Sequence, residues 1–108
     1  MKNLLLKEKE EISIIGFSIG GLIAWKATLS GLNAKYICAI SSTRLRYESQ
    51  KPSAQIDLFF AENDSFIPKE KWFQSMTLNP NIIEQETHEF YKKQEFAKLI
   101  CDKITERN

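Results

Sequence analysis

A serine among glycines, an acid past an apolar run and a lone histidine are the residues of this sequence whose types and order suit covalent chemistry. Ser18 lies in Gly16-Phe17-Ser18-Ile19-Gly20, which satisfies G-x-S-x-G and is followed by a further glycine, Gly21. A serine hydroxyl becomes nucleophilic near neutral pH only when a base takes its proton. The chain has one histidine, His88, in "QETHEFYKK". Such a base needs an acid to fix its tautomer and to stabilise the imidazolium, and "LFFAENDSFIP" offers Asp64, with Glu62 second. The backbone N–H of Ile19, the residue after the serine, would face a developing oxyanion. Together these groups would carry acyl transfer through a serine-bound intermediate. Each also has a plain structural alternative: a small residue in a strand-to-helix turn, a solvated turn residue or helix cap, and a partly exposed histidine at the start of a helix.

The elements that must position them alternate. Ile12–Ile15 is a short, mostly β-branched run ending at Gly16, and Ile19–Leu29 reads as a mostly buried helix closed by Gly31. Tyr36–Ile40 and Ile56–Ala61 read as apolar strands, with a polar loop from Arg44 to Gln55 between them. Pro68 can open a helix over Lys69–Met76, with Trp72 and Phe73 on one face. Ile82–Glu86 reads as a fourth strand, followed by an amphipathic helix from Glu89 to Ile104. Strand alternating with helix predicts an α/β fold, a parallel sheet of about four strands with helices over it. Strands that are apolar throughout are expected when both faces are covered. Ser18, Asp64 and His88 each follow a different predicted strand at its carboxyl end, where such sheets gather functional groups.

The composition excludes several classes. The 108 residues read as a single domain, 1–108. Fifteen basic against fourteen acidic residues leave +1 and no basic stripe, so no nucleic-acid or anionic-membrane partner is expected. Leu4-Leu5-Leu6 before "KEKEE" is too short for a signal peptide's apolar region, and no stretch reaches bilayer length, so a cytoplasmic protein is expected. Cys38 and Cys101 lack partners at metal-binding spacing and read as two buried, reduced thiols; neither metal nor organic cofactor is expected. Phosphate or dinucleotide binding fails on detail, because Ser18 stands where G-x-G-x-x-G needs its second glycine and no Gly-Lys-Ser/Thr ends a P-loop.

These segments resemble the C-terminal half of an α/β-hydrolase. "IIGFSIGGLIAWKA" is similar to that family's nucleophile elbow and following helix, "LFFAENDSFIP" to its acid-bearing strand end, and "ETHEF" to its histidine loop. Ala61 and Thr87 stand where the family often has glycine. The resemblance implies a truncated α/β-hydrolase fold, with Ser18 as nucleophile, Asp64 as acid, His88 as base and Ile19 as oxyanion donor, acting on small ester or thioester substrates. It also implies that the N-terminal strands, with the loop supplying a second oxyanion N–H, have no counterpart here. Loss of one such donor costs on the order of 100- to 1000-fold in rate.

The first strand, Ile12–Gly16, would then be an edge, and self-association or a partner chain carrying the missing half is expected to cover it. A fragment, or the product of a broken gene, fits the same pattern. Phe17, Arg44 and Arg46 are candidate substrate contacts, the arginines for a carboxylate or phosphate; solvated loop charges are their alternative. Phe66, Trp72 and Phe73 are candidates for an acyl pocket or for core. No large lid fits between Ser41 and Gln55. The competing reading is a non-catalytic scaffold that keeps the elbow as a turn.

Overall fold

The computed structural model describes residues 12–107, so Leu4–Leu6 and the charged run after them lie outside the described residues. Strands β1 (Ile12–Phe17), β2 (Ala34–Ile40), β3 (Gln55–Ala61) and β4 (Asn81–Ile83) form one parallel sheet in the order β1-β2-β3-β4. Helix α1 (Ile19–Leu29) joins β1 to β2, α2 (Glu70–Met76) joins β3 to β4, and α3 (Gln94–Arg107) closes the chain.

Strand periodicity sorts the core into two layers. Ala39, Leu58 and Phe60 face one side, where they meet Trp25 of α1 and Phe73 and Met76 of α2. Tyr36, Cys38, Ile40, Phe59 and Ala61 face the other, where they meet Phe90 and Ile100. Both faces of the central strands are therefore covered, which accounts for their apolar sequences. One polar pair lies within the second layer: the Tyr36 hydroxyl donates to Asp57 at 2.8 Å. Burial pushes the Cys38 thiol up to about 11, the Asp57 carboxylate adding to the rise, and raises the Tyr36 hydroxyl further still.

Several boundaries differ from the sequence reading. The fourth strand covers Asn81–Ile83 and not Ile82–Glu86, because the chain turns at Gln85 (φ 61) and the Gln85 N–H donates to the Glu62 carboxylate. The last helix is broken. A 3-10 turn over Phe90–Lys92 ends at extended Lys93 before α3 begins. The Arg44–Gln55 loop carries a 3-10 turn, Thr43–Tyr47, anchored by fully buried Leu45. Helix α1 is not mostly buried: only Gly21, Ala24 and Trp25 are, while Ile19 and Ile23 are exposed, Ile23 by 62%. Cys38 is buried as expected but Cys101 is exposed, one position round the helix from buried Ile100.

The junction between β1 and α1 is the tightest place in the fold. A Cβ on Gly16 would fall 2.5 Å from the Gly21 amide nitrogen, and one on Gly21 would overlap the Ser42 hydroxyl, while one on Gly20 would meet nothing within 4 Å. The close approach thus needs Gly16 and Gly21 but not Gly20. Gly21→Ala should destabilise the fold by about 1–3 kcal/mol through overpacking, lowering Tm by roughly 4–8 °C per kcal/mol. Gly20→Ala should be neutral or stabilising by up to about 1 kcal/mol. Thermal unfolding of the two variants checks the contrast.

Candidate active site

The carboxyl ends of all four strands supply the site. Past β1, Ser18 has φ 54 and ψ −118, a backbone conformation that non-glycine residues rarely adopt. Its N–H donates to the Ile40 carbonyl at 2.7 Å, and α1 starts at the next residue. The turn lifts the hydroxyl off the sheet, where Ser18 Oγ lies 3.1 Å from His88 Nε2. His88 Nδ1 lies 2.6 Å from Asp64 Oδ2. The Asp64 side chain is almost fully buried, and its other oxygen accepts the Phe66 N–H at 3.1 Å. With Nδ1–H donated to Asp64, Nε2 is left to accept the serine proton.

The loop carrying His88 is tied down on two sides. The Asn63 N–H donates to the Glu86 carbonyl at 3.0 Å, which fixes the histidine loop to the acid loop. The Ser41 hydroxyl donates to the His88 carbonyl at 2.6 Å. Ser41 is fully buried just past β2 and has φ 55, a second strained serine at a strand end. Its part was not legible in the sequence, where "ISST" gives no sign of a contact 47 residues away. Glu62 binds the Gln85 N–H and not the histidine, so Asp64 is the acid that the fold brings to His88.

A cavity of about 380 Å3 opens beside the serine, lined by Ser18, Ile19, Thr43, Arg44 and His88. Ile19 opens α1, and the N–H groups of a first helical turn have no partner within the helix. Arg44 reaches the cavity; Arg46 does not. The Arg46 guanidinium donates to the Thr43 carbonyl and the Tyr47 hydroxyl, lies 4.4 Å over the Tyr47 ring and borders a separate groove with Phe66 and Trp72. Phe17 is off the cavity wall too, its ring 5.1 Å from that of Tyr91. Phe73 is core. Among the described residues, no group of three or more His, Cys, Asp or Glu side chains could hold a metal ion, and no helix is long and apolar enough to cross a membrane.

A parallel sheet in this order with these helices is the α/β-hydrolase fold in part. No family model matches the chain, and no curated protein does. Two solved structures are similar to it. A predicted CIB-like hydrolase from Thermoplasma acidophilum matches with TM-score 0.67 and 20% identity over 87% of this chain and 50% of its own. A lid-less α/β serine hydrolase from Xanthomonas campestris matches with TM-score 0.58 and 18% identity over 78% of this chain and 41% of its own. The chain thus spans half the length of the first neighbour and about two-fifths of the second.

Removing the Ser41 hydroxyl takes away the tie at the His88 backbone itself. Ser41→Ala should cost about 1–3 kcal/mol, the usual range for a buried partner left unsatisfied, read as a lower midpoint with unchanged slope in urea unfolding.

Proposed function

We propose that the chain is a serine hydrolase of the α/β-hydrolase type, a single domain acting on small ester or thioester substrates. The observation that carries this reading is the continuous hydrogen-bonded series from Ser18 Oγ through His88 to buried Asp64. The names of the two structural neighbours, both hydrolases, point the same way. Ser18 Oγ adds to the substrate carbonyl while His88 Nε2 takes its proton. The Ile19 N–H faces the oxyanion. Collapse expels the alcohol or thiol, which leaves with the proton from His88, and Ser18 holds the acyl group. Water, deprotonated by His88, then releases the carboxylic acid and restores the serine. Asp64 holds the ring and stabilises the imidazolium. The chemistry calls for no metal or cofactor. A cytoplasmic setting goes with this reading, both cysteines being free thiols.

A fluorophosphonate probe should label the purified chain. Labelling should vanish in Ser18→Ala and fall steeply in His88→Ala, and Asp64→Asn should lose about 10,000-fold in kcat with the wrong histidine tautomer. A folded wild-type chain that takes no label would sink the hydrolase reading.

A second reading, a non-catalytic half-fold completed by another polypeptide, has one observation in its favour. Strand β1 has β2 on one side and no described strand on the other, with Ile12, Ile15 and Phe17 exposed along it and Ile19 and Ile23 beside it. The occupant proposed for this edge is a separate chain adding a strand with its own helices, since the exposed groups lie on both sides of the sheet. With no described strand along this edge, the chain should self-associate, and Ile15→Lys should suppress this in concentration-dependent light scattering. A wild type that stays monomeric near millimolar concentration would remove the argument for this surface.

A further inference from the structure

We infer that the site selects substrates carrying one carboxylate, held by Arg44. The inference rests on the hydrolase reading and names the substrate class of that same site. A 3-10 turn advances about 120° per residue, so three successive side chains point three ways. In Thr43–Tyr47, Leu45 goes into the core and Arg46 is bound to Thr43, Tyr47 and the Phe66 side of the turn. Arg44 lines the cavity together with Thr43, Ser18, Ile19 and His88. The buried leucine and the anchored arginine fix the turn, so the guanidinium is carried on a held backbone and not on a loose loop.

Arg44 is exposed and lines the cavity with no acidic partner among the described residues. The first turn of α1, whose positive end opens there, carries no acidic residue either. Asp64 is almost fully buried and committed to His88 and the Phe66 N–H. A substrate carboxylate in the cavity would supply the matching negative charge. A single guanidinium, planar and forked, matches one carboxylate in bidentate fashion. A dianionic phosphate would call for more positive charge than this wall offers. At about 380 Å3 the cavity suits a small acyl group with the carboxylate at its far end.

The test compares mono-4-nitrophenyl glutarate, which is anionic, with 4-nitrophenyl butyrate, which is neutral. The wild type should favour the glutarate ester. Arg44→Gln should lower the ratio of the two kcat/KM values by about 10- to 100-fold, as expected for a lost charged hydrogen bond, with the loss mainly in KM, and Arg44→Lys should recover part of it. An equal loss on both esters would make Arg44 an oxyanion stabiliser and overturn the inference; an unchanged ratio would overturn it too. A binding arm separates the two ideas. Monomethyl glutarate should bind the Ser18→Ala chain, followed by backbone amide shifts, and dimethyl glutarate should bind less well. Binding of the monoester that is lost in Ser18→Ala/Arg44→Gln, with neither ester hydrolysed by the wild type, would uphold the carboxylate site and sink the hydrolase reading. No preference for the monoester over the diester would sink the carboxylate site whatever the hydrolysis shows.

Discussion

The hydrogen bond from the Ser18 N–H to the Ile40 carbonyl, 2.7 Å long, fixes where everything else in the site can stand. It pins the first residue past β1 to the last residue of β2, so the chain must turn immediately and start α1 against the sheet. The turn holds Ser18 in a left-handed conformation, a strain of about 1–3 kcal/mol. Burying one large apolar side chain yields a similar amount, about 1.5–3 kcal/mol. Fully buried Trp25, on the helix that follows, is enough to hold the turn closed. The demand for glycine at Gly16 and Gly21 comes from the same pinning, because strand end and helix start then pass at backbone contact.

The same step recurs along the sheet. The Ser41 N–H donates to the Phe59 carbonyl at 2.8 Å, and the Glu62 N–H to the Ile83 carbonyl at 2.9 Å. Each of the first three strands thus extends its ladder one residue past its end, onto the neighbour, before turning away. The departures are aligned, so the loops leave from one line across the sheet. Ser18, Ser41 and the Glu62–Asp64 turn stand along that line, and β4 stops after three residues to send His88 back over it. A longer fourth strand would carry the histidine further along the sheet and away from Ser18.

This explains which features were legible in the sequence. Apolar strands, the order of serine, acid and histidine, and the position of the elbow between strand and helix are written in local pattern, and α1 begins and ends where its residues say. What escaped depends on contacts distant in sequence. Gly20 satisfies the motif but has open space around it, while Gly21, outside the motif, is demanded by the packing along with Gly16. Ser41 looks like any serine after a strand until the His88 carbonyl arrives above it. Arg44 and Arg46 are alike in sequence, and the rotation of a 3-10 turn sends them to different places. The exposure of Ile19 and Ile23 is a property of the sheet's edge, which periodicity along the helix cannot see.

The two ends of the sheet are finished differently. At β4 the edge is three residues long, too short to recruit another strand, and its neighbours are loops tied to the site. At β1 the edge is six residues of mainly apolar sequence, flanked by exposed isoleucines on α1. No other described strand pairs along that edge, which ends at Ser18. A parallel strand added there would bring its own carboxyl end beside the nucleophile, on the side away from Thr43 and Arg44. The proposed carboxylate wall and the proposed strand-pairing edge flank the serine on different sides, and Ile19 belongs to both, lining the cavity and lying exposed beside β1. The proposed catalysis and the proposed completion of the sheet draw on different parts of one turn: the first on the side chains of Ser18, His88 and Asp64, the second on the backbone and apolar faces of Ile12–Phe17.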